Sequence, residues 1–228
     1  MSIAASLQQL EAEISLAVTT AGRSREEVTL IAVSKTFPAD AIREAHGVGL
    51  RDFGENRVQE LLQKARDLSD LEFRWHLIGS LQTNKVAAVL PHLGLLHSLD
   101  RRGLVEEIAR RTLRPLDALI QVKTTDEPTK SGADPSEVAA LVDQAAATGV
   151  IRLRGFMTIG PLAGSESETR ACFRALREIR DREQSRRPDL DLSALSMGMS
   201  SDFAWAIEEG ATHIRVGTRL FGRREVAH

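Results

Sequence analysis

The 228-residue sequence predicts a closed (β/α)8 barrel, one domain spanning residues 1–228, and three observations carry that reading. Eight short apolar or β-branched runs recur near residues 29–34, 51–55, 73–79, 94–99, 116–123, 151–158, 193–198 and 212–217, with amphipathic stretches between them. Seven of the eight end in a polar or glycine cluster, which suits a ring of loops around one mouth. The competing architecture is an open doubly wound sheet, and it is disfavoured because no Gly-x-Gly-x-x-Gly run opens the first helix.

The elements follow in order. Ile3, Leu7, Leu10, Ile14 and Ala17 recur at three- and four-residue spacing between a capping Ser2 and Gly22, which predicts an opening helix that fills the outer slot left after the eighth strand. The run Leu30 to Ser34 is unbroken by charge and reads as a strand buried on both faces. It delivers Lys35 to the C-terminal edge, three residues before Pro38. Amphipathic segments are then predicted at Ala39–His46, Arg57–Leu68, Arg101–Arg111, Pro135–Ala147, Glu166–Gln184 and Asp202–Glu209, with surface loops over 164–167 and 185–191. In the last run, His213 and Arg215 alternate with Ile214 and Val216, so the two basic residues face the lumen.

Composition excludes several classes of function. A net charge of -2 gives no global attraction to nucleic acid or anionic lipid, and the paired arginines at 101–102, 110–111, 186–187 and 223–224 read as solvated helix faces or ends. The single cysteine, Cys172, excludes an intramolecular disulfide and sits in a helical core pattern. No run is long and apolar enough to span a membrane, and the N-terminus lacks a secretory pattern, so a cytoplasmic address is expected. No two of the six histidines are spaced as a metal-binding helix pair, and no cysteine accompanies them, so no metal site is expected. His76 reads as a packed strand residue.

A barrel places its strand ends around one pocket, so Lys35, Glu55-Asn56, Asp100, Lys123-Thr124, Ser200-Ser201 and Gly217-Thr218 should converge above Arg215. A partly desolvated lysine favours the neutral amine, which attacks carbonyls to form Schiff bases. A guanidinium in the lumen requires an acceptor or a ligand. Gly217, Thr218 and Ser200 follow the last two strands, where such barrels often hold phosphate, although Ser200 could equally cap the next helix. An amine, a cation and a phosphate cradle together fit an aldehyde that carries a phosphate.

The blocks Ala32-Val33-Ser34-Lys35, Phe53-Gly54-Glu55-Asn56, Trp75-His76-Leu77-Ile78-Gly79, His97-Ser98-Leu99-Asp100, Lys130-Ser131-Gly132, Gly155-Phe156-Met157, Ser196-Met197-Gly198-Met199-Ser200 and Ile214-Arg215-Val216-Gly217-Thr218 resemble, in order, the family of pyridoxal phosphate homeostasis proteins. These are short relatives of the N-terminal barrel of alanine racemase. The resemblance implies a fold-type III barrel in which Lys35 carries pyridoxal 5'-phosphate as a Schiff base. It further implies that Arg215 faces the pyridine nitrogen, that Ser200, Gly217 and Thr218 hold the phosphate, and that Asn56 lies beside the cofactor. Arg57 and Lys123-Thr124 depart from the commonest pattern, in which tyrosine and asparagine are frequent.

An arginine cannot protonate the ring nitrogen, which makes the ring a weak electron sink. The racemase pattern also uses a tyrosine from a second domain, and this chain has no tyrosine. The expectation is therefore a monomeric carrier that buffers pyridoxal phosphate or delivers it to apo-enzymes, with no catalytic residue of its own. A slow racemase-like enzyme and a cofactor-free Schiff-base aldolase are the alternatives.

Overall fold

Each of the eight apolar runs is a strand in the computed structural model, which describes residues 2–125, 127 and 131–222. β1 (Thr29–Val33), β2 (Asp52–Glu55), β3 (Arg74–Leu77), β4 (Leu93–Leu99), β5 (Leu116–Gln121), β6 (Ile151–Met157), β7 (Ala194–Met199) and β8 (His213–Val216) pair in parallel with their sequence neighbours. β8 closes on β1 with Ile31 opposite Arg215 and Ala32 opposite Val216. The result is a closed barrel, as the alternation of runs and helices predicts.

The outer layer contains α1 (Ile3–Thr20), α2 (Ala39–Gly47), α3 (Val58–Asp67), α4 (Val86–Val89), α5 (Arg102–Arg111), α6 (Val138–Ala147), α7 (Glu166–Arg186), α8 (Phe203–Glu208) and α9 (Thr218–Phe221). The Ser2 hydroxyl caps α1 by accepting the Ala5 N–H. α1 then lays its apolar stripe of Ile3, Leu10, Ile14, Ala17 and Val18 against α8 and α9, filling the predicted slot. α7 opens on a reciprocal capping box between Ser165 and Glu168 and extends two residues past the expected Gln184. Arg186 and Arg187 tie that end to Asp143 of α6 at 2.8 Å each. α3 and α6 start at Val58 and Val138, later than the expected Arg57 and Pro135. α4 and α9 each form a single turn of four residues, too short for a 3.6-residue period to register in sequence.

Burial divides into two layers. The main core lies between strands and helices and contains Ile42, Phe53, Leu61, Leu104, Val105, Phe156, Phe173, Ile214 and Val216 among its fully covered side chains. A smaller cluster of Leu95, Leu119, Met157 and Ala194 fills part of the lumen. Gly155 makes one close approach possible. Its φ is +141°, and a Cβ there would lie 1.9 Å from the Ala194 carbonyl oxygen, where β6 meets β7.

Cys172 is buried, as its helical pattern predicts. The arginine pairs at 101–102, 110–111 and 186–187 sit at helix ends, while Arg223-Arg224 and Lys130 lie outside the described residues. Among the described residues, no helix is long and apolar enough to cross a membrane.

Candidate functional site

Strand register brings the sequence-predicted residues to one end of the barrel. Val33 pairs with Gly54, and the Ser34 N–H donates to the Gly54 carbonyl at 3.0 Å, so Lys35 and Asn56 leave adjacent strands at the same level. On the other side, β8 ends against β1 so closely that a Cβ on Gly217 would lie 3.1 Å from the Val33 carbonyl oxygen. Ser200 and Thr218 leave β7 and β8 with their hydroxyl oxygens 3.4 Å apart. Arg215 is the penultimate residue of its strand, buried within the lumen beneath this rim. Lys35 is partly exposed and Asn56 is exposed.

Ser200 does not cap α8. That helix begins at Phe203, and Asp202 occupies the cap position with its carboxylate turned back to take the Met199 N–H at 2.6 Å. The Ser200 hydroxyl therefore faces the Thr218 hydroxyl across the mouth. Thr218 opens α9, where the first N–H groups of a helical turn have no partners within the helix.

Lys35 occupies the second position of a tight turn, Ser34 to Phe37, closed by the Phe37 N–H donating to the Ser34 carbonyl at 3.0 Å. Thr36, at the third position, has φ +69°. That position favours glycine, and a β-branched residue in left-handed backbone costs about 1–2 kcal/mol. Below the turn Lys64 and Glu55 form a buried cluster with Glu60. The Lys64 ammonium donates to the Ser34 carbonyl, Glu55 Oε1 and Glu60 Oε1, each at 2.7 Å. Ser34 Oγ also donates to Glu55 Oε1 at 2.7 Å, leaving Glu55 Oε2 buried without a hydrogen-bond partner among the described residues. Burial pushes the Glu55 carboxyl above its ordinary range against the opposing pull of Lys64.

Arg215 ends a chain of hydrogen bonds that crosses the lumen. Its Nη2 donates to the Thr158 carbonyl at 2.8 Å and its Nη1 to Ser196 Oγ at 2.6 Å. With both imidazoles neutral, the Asp52 carboxylate, which only accepts, sets the direction of each intervening bond. Ser196 Oγ donates to His97 Nδ1 at 2.9 Å, His97 Nε2 donates to His76 Nδ1 at 2.9 Å, and His76 Nε2 donates to Asp52 Oδ1 at 2.8 Å. Both imidazoles are neutral in this arrangement. Burial pushes His76 below its ordinary range despite Asp52, and pushes His97 well below it with help from the neighbouring basic groups. His213, packed beside both, is taken down to about 3 by burial. Burial also pulls Arg215 down to about 10, so it stays a cation at neutral pH.

The barrel thus gathers three histidines from β3, β4 and β8 that are remote in sequence. His76 and His97 bond each other, Asp52 and Ser196, and His213 Nδ1 is bonded to Thr212 Oγ1 at 2.8 Å; no group of three candidate ligands among the described residues is arranged to hold a metal ion. His76 is the packed strand residue expected, and the relay gives it a defined partner at each nitrogen. The departures from the family pattern follow β2 and β5. Arg57 and Lys123 are exposed, whereas Thr124 is bonded to Thr158 Oγ1 at 2.8 Å and so supports the residue whose carbonyl receives Arg215.

Comparison with known proteins agrees with this geometry. Residues 5–225 match the family described as alanine racemase, N-terminal domain. A pyridoxal phosphate homeostasis protein of Aquifex aeolicus is 45% identical over 208 residues, covering 90% of this chain and 91% of that protein. One from Escherichia coli K12 is 41% identical over 232 residues, covering 98% and 97%. PipY of Synechococcus elongatus, solved with PLP bound, superposes with a TM-score of 0.87 at 41% identity, covering 97% of this chain and all of that one. An alanine racemase of Corynebacterium glutamicum shares the fold alone, with a TM-score of 0.72 at 17% identity over 97% of this chain and 62% of that one. The chain belongs to the pyridoxal phosphate homeostasis family, built on the barrel that alanine racemase uses as its N-terminal domain.

Proposed function

We propose that this protein is a cytoplasmic carrier of pyridoxal 5'-phosphate, holding the cofactor on Lys35 for buffering or delivery to apo-enzymes, without robust turnover of its own. One observation carries the reading: Lys35, Arg215 and the Ser200–Thr218 hydroxyl pair converge on one mouth, in a sequence with no tyrosine. The residues present suit the group. Arg215 is a buried cation with two protein acceptors among the described residues, Ser196 and Thr158, which leaves further N–H groups for a ligand. A Cβ on Gly217 would crowd the Val33 carbonyl, and its absence leaves the backbone N–H groups there open to a phosphate.

Lys35 would hold the group covalently through its side-chain nitrogen, the ordinary chemistry of a neutral amine toward an aldehyde. Ser200 and Thr218 would donate hydroxyl hydrogens to phosphate oxygens, aided by the backbone of Gly217 and Thr218, and Asn56 would flank the ring. When bound, pyridoxal phosphate supplies a reactive aldehyde and an electron-withdrawing ring. Arg215 donates toward the ring nitrogen and, being a cation, opposes its protonation, which weakens that electron withdrawal. The asymmetry favours holding over catalysis. Racemisation also needs a base facing Lys35 across the ligand, and the tyrosine that fills this role in the racemase pattern has no counterpart in the sequence.

The test pairs spectroscopy with an activity assay. Purified protein loaded with pyridoxal phosphate should show the visible absorption of a lysine Schiff base, absent from Lys35→Ala. Prolonged incubation with L-alanine should give no enantiomer exchange above that of free cofactor. Racemisation abolished by Lys35→Ala would establish an enzyme instead, and a colourless parent would end the carrier reading.

A further inference from the structure

We propose that Lys64 and Glu60 are positioning residues for Lys35, gripping the residues before and after it so that the lysine side chain is aimed into the barrel mouth. This rests on the reading of Lys35 as the residue that holds the cofactor. Lys64 is buried, and its ammonium uses all three donors, on Ser34, Glu55 and Glu60. Ser34 precedes Lys35. Glu60 in turn accepts the N–H of Thr36, which follows Lys35. One ammonium thus controls both flanks of the turn, directly at Ser34 and through a carboxylate at Thr36.

Such an arrangement is needed because the turn is strained. Thr36 adopts φ +69°, a conformation from which a free threonine would relax, and relaxation would rotate the backbone that carries Lys35. Glu55 anchors the cluster from β2 with no solvent exposure. Every Lys64 donor is occupied, so its nitrogen is held in the cluster below the turn. α3 therefore does more than cover β2: its first and second turns supply Glu60 and Lys64, one helical turn apart, beneath the turn that carries Lys35.

Glu60→Ala is the leading test, since Glu60 is partly exposed and its loss leaves the buried Lys64–Glu55 pair intact, whereas Lys64→Met removes the counter-ion of a buried carboxylate. In Glu60→Ala the Thr36 amide should exchange with solvent at least about tenfold faster than in the parent. Schiff-base formation with pyridoxal phosphate should slow at least about fivefold, while affinity for pyridoxine 5'-phosphate, which lacks the aldehyde, stays within about twofold. Adding Thr36→Gly to Glu60→Ala should restore the rate to within about twofold of the parent, because glycine adopts positive φ without restraint. Unchanged Thr36 exchange in Glu60→Ala would overturn the proposal. So would an equal loss for both phosphate ligands, or failure of Thr36→Gly to rescue, since a merely structural role predicts both. If the parent formed no Schiff base at all, the carrier reading would fall, and exchange at Thr36 would still decide whether the grip exists.

Discussion

At the scale of single residues, the site combines groups that sequence exposes with groups that it hides. Lys35 and Arg215 are legible because each breaks an apolar strand pattern with a charge, and alternation through His213, Ile214 and Val216 gives Arg215 its inward direction. Lys64 is not legible: it lies in an ordinary amphipathic helix, and only folding places it beneath Ser34. Likewise, Ser196 and His97 are 99 residues apart, and nothing local announces their bond. The hydroxyl pair yields a residue-level prediction. With Ser200 excluded as the α8 cap, Ser200→Ala or Thr218→Val should weaken pyridoxal phosphate binding roughly ten- to a hundredfold, since a hydrogen bond to a charged group contributes about 1.5–3 kcal/mol. Unphosphorylated pyridoxal should bind as before. Titration of parent and variants with both aldehydes checks this, and equal losses would remove the pair from the phosphate site.

Among the elements, long periodic helices and β-branched runs appear where their patterns place them, whereas α4 and α9 are single turns specified by tertiary packing. β6 and β7 illustrate how one residue controls an element. Gly155 combines positive φ with a position where an added Cβ would overlap the Ala194 peptide, so Gly155→Ala must push two adjacent strands apart. A loss of at least about 3 kcal/mol is expected, read as a lower urea midpoint or as insoluble protein. Gly149→Ala is the control: its φ is also positive, but nothing lies within 4 Å of the added methyl, so its loss should be about 1 kcal/mol. Comparable losses for the two variants would mean that the β6–β7 contact is looser than the structure shows.

For the molecule as a whole, three neutral histidines and a buried arginine in the lumen make stability depend on pH. Each histidine titrates lower when folded than when unfolded, so below about pH 6.5 the unfolded chain takes up protons that the folded barrel refuses. Stability is complete above that pH and falls on acidification, by about 1.4 kcal/mol per pH unit for each histidine, until the folded values are reached. Asp52 adds a further loss at lower pH: burial opposes its ionisation, but its bond from His76 and the nearby cations hold it below the ordinary range. Glu55, raised by burial, works in the opposite direction above its unfolded value, one group against three. Urea denaturation at pH 7.5, 6.0 and 5.0 should therefore show a steep decline for the parent and a shallower one for His97→Gln. A flat profile would contradict neutral histidines in the lumen. Whether pyridoxal phosphate is held on one strand-end lysine is decided by borohydride reduction of the loaded native protein followed by peptide mapping. The pyridoxyl group should be found on Lys35 alone; its recovery on Lys64, Lys85, Lys123 or Lys130 with Lys35 unmodified would place the cofactor elsewhere and rule Lys35 out.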